Sequence, residues 1–156
     1  MTLETIKIKK LNDNATIPTR SHSTDAGLDL YASEDVMLHT DETEIVPTGI
    51  AIEVPPGYEA QVRSRSGVTS RGVMTVHTGT IDSGYTGEVG VIVTCRIPPS
   101  QTTLANSPRN KYRNIKAGDK IAQLVISPIE TPKVEVVDEF DSESERGENG
   151  FGSTGK

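Results

Sequence analysis

The amino-acid sequence predicts an all-β domain, built as a β-sandwich or a barrel. Several short stretches alternate apolar and polar residues with a period of two, which is typical of strands that bury one face. Glycine and proline recur between these stretches, as expected of a chain that turns often. No long stretch has the apolar period of an amphipathic helix. Many short strands with frequent turns favour a sandwich or a barrel.

The predicted strands can be placed in chain order. Isoleucine alternates with lysine at 6–8, and isoleucine or valine alternates with alanine or glutamate at 50–54. The runs 89–94 and 121–126 are more continuously apolar, as expected of strands in a sandwich core. A last period-two pattern, two valines about a glutamate at 134–136, predicts one more strand.

The chain is long enough for one domain, and it is too acidic for most polyanionic partners. A chain of 156 residues buries roughly 70% of its surface on folding. The formal net charge of −6 argues against duplex DNA, RNA and anionic membranes as partners. A small polyanionic substrate stays open, because a few arginines can create a local positive field. No apolar run approaches the roughly 18 residues of a membrane span.

The single cysteine and the N-terminal residues indicate a cytoplasmic protein. Cys95 has no second cysteine with which to form a disulfide in the chain. Its position in an apolar run favours a buried structural thiol over a nucleophile. Residues 1–5 lack the apolar core of a signal peptide.

Two stretches differ from their surroundings in charge. Residues 96–117 contain five basic residues, three prolines and no acid. Such a long excursion between two strands is either a simple connection or a recognition surface for another macromolecule. Residues 138–145 hold five acids, which is typical of a solvated linker. We therefore divide the chain into a β-sandwich core at 1–137 and an acidic linker with a C-terminal arm at 138–156.

The C-terminal arm combines glycines with groups that suit a nucleotide. Glycine lets backbone N–H groups wrap an anion, Ser153 and Thr154 add hydroxyl donors, and Phe151 offers a face for a base. Gly150 to Lys156 nearly spells a P-loop, but no strand precedes it and the final Ser or Thr is missing. Two interpretations remain: an ordinary disordered terminus, or an arm that orders over a bound ligand.

Four more clusters carry polar groups near predicted strand ends and turns, at 25–32, 63–68, 79–88 and 118–124. In the first, Asp29 lies between two leucines. It is either a turn residue or a half-buried carboxylate that needs a cationic side chain or a hydrated metal as partner. In the second, Arg65, Ser66 and Gly67 suit phosphate oxygens, although a polar hairpin end has a similar composition.

The third and fourth clusters suit hydrolysis and phosphate binding. Asp82, flanked by glycines, can act as a general base on water near a triphosphate, and Tyr85 can lie flat under a sugar. The alternative is a tight β-hairpin with a surface aspartate. Gln123 is an amide inside an apolar strand, so its partner is either a ligand or a structural hydrogen bond.

Together and in this order, the five clusters resemble the five motifs of the trimeric dUTP pyrophosphatases (dUTPases) over essentially the whole chain. The resemblance implies a jelly-roll-like β-sandwich assembled as a homotrimer, with active sites between subunits and an arm that closes over a site built by other subunits. It also implies hydrolysis of dUTP to dUMP and pyrophosphate, with Mg²⁺ on the triphosphate. Catalysis of this kind depends mostly on positioning and electrostatic stabilisation.

The resemblance implies a role for each matching residue. Asp82 matches the carboxylate that activates water for attack on the α-phosphorus. Tyr85 matches the ring that packs on deoxyribose and excludes a 2′-hydroxyl. Asp29 matches the acid that holds Mg²⁺ through its water shell. The other implied substrate contacts are Arg65, Ser66, Gly67 and Gln123 in the core and Arg146, Gly152, Ser153 and Thr154 in the arm, with Phe151 stacked on uracil.

One position departs from the family pattern. Val76 stands where many members carry an asparagine that bonds the uracil edge, so the backbone of the hairpin near His77 and Gly79 is expected to read uracil. Two alternatives remain beside dUTP hydrolysis. One is a dCTP deaminase-like enzyme, although the spacing of Asp82 and Tyr85 favours pyrophosphate release. The other is a dUTPase-like trimer that binds a regulatory protein through residues 96–117.

Overall fold

The computed structural model describes residues 3–69, 73–96, 112–141 and 147. Within these ranges the chain is almost entirely β-structure, with one short helix. In chain order the elements are β1 (Lys7–Lys10), β2 (Gly27–Tyr31), β3 (Val36–His39), β4 (Thr43–Glu53), β5 (Tyr58–Arg63), α1 (Ser66–Thr69), β6 (Met74–Val76), β7 (Gly79–Ile81), β8 (Glu88–Cys95), β9 (Tyr112–Ile115) and β10 (Lys120–Pro128).

Two four-stranded antiparallel sheets share one hydrophobic core. The first has the order β1-β4-β8-β6 and the second the order β2-β10-β5-β7, while β3 pairs with β9 as a small separate ladder. Buried side chains of both sheets form one cluster, whose largest fully buried members include Leu30, Leu38, Ile50, Ile52, Ile121 and Leu124. This arrangement confirms the predicted all-β sandwich.

The alternation of side chains along β8 shows how the sequence pattern becomes a buried face. Every second residue from Val89 to Cys95 is buried, and the residues between them are exposed or half-buried. Cys95 is fully buried, and this burial raises the pKa of its thiol. A buried thiol of raised pKa is a poor nucleophile, which agrees with the structural role expected of it.

The strand predicted at 134–136 is wrong. Val134 and Val136 are each 92% exposed, and no described strand pairs with this segment. A period-two pattern marks one face that favours burial, but it does not specify which strand lies alongside. Within the described part of the chain, the neighbour that this pattern needs is not present.

The basic excursion at 96–117 ends in regular structure. Its residues 112–115 form β9, which pairs antiparallel with β3 so that Leu38 lies opposite Arg113. The local sequence does not predict this strand because its partner lies far back in the chain. Residues 97–111 are outside the described ranges, so the recognition surface stays a prediction, as does the division at residue 137. No helix in the described ranges is long and apolar enough to cross a membrane.

Candidate active site

One sheet carries four of the five predicted clusters. In the order β2-β10-β5-β7, Asp29 lies on β2 and Gln123 on β10. Arg65 follows β5, and Asp82 follows β7. The register puts Gln123 opposite both Asp29 and Arg63. Because directly opposite residues share a face of the sheet, these three side chains form one row across it.

Asp29 is a buried carboxylate held between two cations. The residue is 8% exposed. Its Oδ1 lies 2.9 Å from Arg65 Nε. Its Oδ2 lies 2.8 Å from Lys120 Nζ, although the two atoms are not aligned for a hydrogen bond. A buried carboxylate is costly unless it is paired, so the interpretation with cationic partners is correct. The alternative of a turn residue is wrong, because Asp29 lies inside β2.

A β-bulge in β10 brings Lys120 to this carboxylate. Lys120 pairs with Tyr31 and Ala122 with Leu30, so Ile121 is the extra residue of the bulge. Side chains three residues apart normally face opposite sides of a strand. The bulge instead places Lys120 on the same face as Gln123. The contact with Asp29 raises the pKa of Lys120. Sequence reasoning missed Lys120, because no local pattern marks a change of register.

Gln123 connects β10 to the loop after β5. Its Nε2 donates a hydrogen bond to the backbone oxygen of Ser64 at 2.8 Å. A Cβ at Gly27 would lie 2.2 Å from Gln123 Oε1, so only glycine leaves room for the amide here. Of the two partners that the sequence left open for Gln123, the structure contains the structural hydrogen bond. Its contact with substrate stays a prediction.

These side chains surround a polar cleft of about 290 Å³. The cleft is lined by Ser21, Asp25, Ala26, Gly27, Asp29, Arg65, Ser66, Gly67 and Gln123. Asp25 closes a turn at its rim by accepting a hydrogen bond from the His22 N–H at 2.9 Å. The structure therefore brings Asp29, Gln123 and the three residues of the second cluster together, with donors suited to phosphate oxygens.

The residues around Asp29 do not form a protein cage for a metal ion. The described ranges contain no group of three or more His, Cys, Asp or Glu side chains placed to hold one. Both oxygens of Asp29 face cations. Mg²⁺ commonly binds through one or two carboxylates, substrate phosphates and water. This donor set therefore suits an ion that arrives on a phosphate, with Asp29 reaching it through water.

The third cluster forms a separate cleft at the connection between β7 and β8. These strands lie in different sheets, so the alternative interpretation of this cluster as a tight β-hairpin is wrong. Tyr85 N–H donates to the Asp82 carbonyl at 3.2 Å, and Gly84 has a φ of 89°. These features define a four-residue turn in which glycine supplies the left-handed position and the two ends lie within about 7 Å. Gly79, Asp82 and Tyr85 all line the adjoining cavity of about 220 Å³.

The Tyr85 ring packs against the backbone of Gly87 and Glu88, which follow it in the chain. Its Oη donates to the Glu88 carbonyl at 3.0 Å. A Cβ at Gly87 would lie 2.4 Å from that Oη, so the absence of a side chain at 87 allows the ring to lie there. The Glu88 carboxylate accepts a hydrogen bond from Gly49 N–H at 2.7 Å, which ties the start of β8 to β4. The ring is thus held in one position although it is 47% exposed.

The two clefts lie far apart within one chain. Gly79 is opposite Val62, and continuing this register puts Asp82 level with Glu59. From the ordinary strand spacing and rise, Asp82 lies about 19 Å from Asp29. The structure therefore groups the predicted site residues into two sets, and it does not join them in one chain.

The remaining predicted residues are placed as follows. Val76 is buried, so its side chain cannot contact a ligand. His77 Nε2 lies 2.8 Å from Thr94 Oγ1, and the backbone N–H of His77 donates a hydrogen bond to the Ile92 carbonyl. The predicted site residues of the arm, Arg146, Phe151, Gly152, Ser153 and Thr154, lie outside the described ranges.

Comparisons with known proteins identify the family of this chain. Residues 13–155 match the model of the dUTPase family. The deoxyuridine 5′-triphosphate nucleotidohydrolase of Gloeothece citriformis is 45% identical over 152 residues, which are 96% of each chain.

Two solved structures are similar along most of the chain. The dUTPase of Staphylococcus bacteriophage 80alpha with dUPNHPP, described as controlling the transfer of virulence genes, has a TM-score of 0.88 and 37% identity, covering 99% of this chain and 100% of its own. A mutant dUTPase from phage phi11 of S. aureus, with a structural Mg(II) ion, has a TM-score of 0.80 and 36% identity, covering 89% and 100%. Because the matched residues include both clefts, this chain belongs to the dUTPase family.

Proposed function

We propose that this protein hydrolyses dUTP to dUMP and pyrophosphate. The observation that carries the proposal is the Asp82–Tyr85 turn. It sets a carboxylate and a fixed aromatic ring beside one small cleft, in a chain of the dUTPase family. Selective hydrolysis of a deoxynucleotide needs a general base for the attacking water and a rigid group that contacts the sugar, and Asp82 and Tyr85 provide the two at one site.

Asp82 is the general base of this proposal. Its exposed carboxylate takes a proton from water as the water oxygen bonds to the α-phosphorus. The bond from that phosphorus to the bridging oxygen breaks, and pyrophosphate leaves with the electron pair. A positioned base of this kind contributes about 10²–10⁴ in rate. Tyr85 packs against deoxyribose and leaves no space for a 2′-hydroxyl.

The cleft around Asp29 receives the phosphates. Arg65, Ser66, Gly67 and Gln123 supply donors there, and Lys120 adds a cation beside them. Asp29 keeps Arg65 in place through its 2.9 Å contact, so the positive charge is positioned before substrate arrives. Preorganised charge of this kind is a large part of catalysis by phosphoryl-transfer enzymes.

Mg²⁺ is the cofactor we propose, bound mainly to the triphosphate. When bound, it neutralises charge on the phosphate oxygens. Asp29 orients it through water, consistent with a carboxylate whose oxygens also face Arg65 and Lys120. A dUTPase of phage phi11, which is similar to this chain, is described with a structural Mg(II) ion, and this is consistent with the proposal.

The separation of the clefts supports a homo-oligomer. A general base must lie within hydrogen-bond reach of its water, but the phosphate cleft of the same chain is about 19 Å from Asp82. We propose that Asp82 of one copy works with the Asp29 cleft of the next. Such a head-to-tail contact gives a closed ring when the rotation between copies divides a full turn evenly, and the family resemblance indicates a ring of three. Exposed Val134 and Val136 fit a surface that another copy covers.

Uracil and the arm complete the proposed site. Because Val76 is buried, we propose that uracil is read by the backbone of the β6–β7 connection near His77 and Gly79, with Phe151 stacked on its face. Arg146, Gly152, Ser153 and Thr154 close over the phosphates. We expect the enzyme to work in the cytoplasm, where its single thiol would stay reduced.

A regulatory protein partner is a second role that one comparison favours. The 80alpha dUTPase is described as controlling the transfer of virulence genes. We propose the basic stretch 96–117 as the surface for such a partner, since a loop on a rigid scaffold commonly carries binding.

A panel of dUTP, UTP, dTTP and dCTP with product analysis tests the proposed reaction. In the presence of Mg²⁺ we expect dUMP and pyrophosphate from dUTP, and little turnover of the other three nucleotides. Ammonia and dUTP released from dCTP would instead identify a deaminase. Absence of turnover in a correctly folded sample would leave nucleotide sensing as the function.

A further inference from the structure

Strand β9 places an arginine at a position that faces the core. In the β3–β9 ladder, Val36 lies opposite Ile115 and Leu38 opposite Arg113. Opposite residues share a face, and on this face Leu38 is 0% and Ile115 3% exposed. Between them along β9, Asn114 is exposed. Arg113 is therefore half-buried on the inner face, where the pattern calls for an apolar side chain.

Arg113 opens onto a cavity with an excess of positive charge. This cavity has a volume of about 380 Å³. It is lined by Arg65, Gly67, Val68, Val73, Met74, Arg113, Ile115, Asp119, Lys120 and Ile121. Three of these residues are cations and one is an acid, and the adjacent Asp29, which faces Arg65 and Lys120, leaves an excess of one positive charge. The protein as a whole carries a net charge of −6, so the positive balance belongs to this cavity and not to the surface in general.

The two acids next to this cavity each have contacts with other groups. Asp29 faces Arg65 and Lys120. Asp119 Oδ2 accepts a hydrogen bond from the Lys116 N–H at 2.9 Å. Within residues 3–69, 73–96 and 112–141, no ion pair or hydrogen bond engages the guanidinium of Arg113. A partly buried charge without a partner is costly, so a group that brings negative charge to Arg113 would stabilise this position.

We propose that this cavity is a second binding site, for a small phosphate-type oxyanion, which adjoins the Asp29 cleft and differs from it by the guanidinium of Arg113. The planar guanidinium of Arg113 donates two parallel N–H bonds to such an anion, and Lys120 adds charge from the side. Cellular phosphate is one source, and pyrophosphate released by the proposed hydrolysis is the other. Because Arg65 and Gly67 line this cavity as well as the Asp29 cleft, a bound anion would lie next to the triphosphate.

Calorimetry on the full-length protein tests the site. The nucleotide clefts are first filled with Mg²⁺ and a non-hydrolysable imido analogue of dUTP. Inorganic phosphate and pyrophosphate are then titrated separately, which distinguishes the two sources. We expect saturable binding of one anion per chain. Arg113→Gln should weaken it at least tenfold. Lys9→Gln, which removes one exposed cation on β1, is the matched control and should bind like the wild type.

Thermal unfolding gives a second, independent measurement. Without an anion, Arg113→Met should unfold at the wild-type temperature or above it, because an unpaired charge is replaced by an apolar side chain. Added phosphate or pyrophosphate should raise the unfolding temperature of the wild type and of Lys9→Gln by linkage, and that of Arg113→Met much less.

Four results would overturn the proposal. They are no saturable binding to nucleotide-filled wild type, equal binding by Arg113→Gln, binding that disappears whenever nucleotide is present, and a clear loss of stability in anion-free Arg113→Met. The last would mean that Arg113 is paired with a group of the protein itself. None of these results depends on whether the protein turns over dUTP.

Discussion

Replacing Gly87 by alanine should loosen the selection of deoxyribose by Tyr85. A Cβ at this position would lie 2.4 Å from Tyr85 Oη and 2.6 Å from Cζ. The backbone at 87 is not in the left-handed region, so alanine itself is not strained there. The clash therefore falls on the ring alone, which makes the substitution a specific test of where the ring must lie.

The size of the effect follows from the distance that the ring must move. To reach ordinary van der Waals separation from the new methyl group, the phenol must retreat by about 1 Å. Its 3.0 Å hydrogen bond to the Glu88 carbonyl is then lost, a net change of about 0.5–1.5 kcal/mol. A displacement of about 1 Å at a positioned group can cost up to 10²-fold in rate. We expect the preference for dUTP over UTP in kcat/KM to fall by about tenfold.

The assay is a double-mutant cycle read as the ratio of kcat/KM for dUTP to that for UTP. Gly87→Ala should lower the ratio in the wild-type background and have no effect in Tyr85→Ala, where the ring is absent. Thr86→Ala, in the same exposed turn, should leave the ratio unchanged. An unchanged ratio in Gly87→Ala would refute the idea that Gly87 leaves the space that the Tyr85 ring needs. The same decrease of the ratio in the wild-type and Tyr85→Ala backgrounds would refute it too.

Other predictions concern the remaining parts of the site. Asp82→Asn should lower kcat by at least about 10² while calorimetry still detects dUTP binding; a near-normal kcat would remove Asp82 as the base. Asp29→Asn should raise KM for dUTP and lower the stability by about 1–3 kcal/mol in denaturant titration, since two cations then lack their carboxylate; Asp25→Asn at the cleft rim is the control. Truncation before Arg146 should leave a folded protein with crippled turnover, and Phe151→Ala alone should weaken dUTP binding by about 1–3 kcal/mol; full activity after truncation would make the arm an ordinary tail. Light scattering should find a homotrimer, and a stable, active monomer would contradict a site shared between copies.

Several features of this protein were decided by the sequence itself, because their causes are local. Alternating side chains predicted strands that the structure contains, such as β1 and β4. The glycine two residues after Asp82 specifies the turn that joins it to Tyr85, since the left-handed backbone there favours glycine. The leucines flanking Asp29 left two interpretations, a turn residue or a half-buried carboxylate with a cationic partner, since a carboxylate on a buried strand cannot stay unpaired.

Only the tertiary structure decided which residues meet. Lys120 reaches Asp29 because a bulge shifts the register of β10, and Arg113 faces inward because β9 pairs with a strand far back in the chain. The exposure of Val134 and the distance between the two clefts likewise depend on which strands lie side by side. Pairing between distant segments leaves no local mark in the sequence, since the same period-two pattern fits any partner and any register that keeps its apolar face covered.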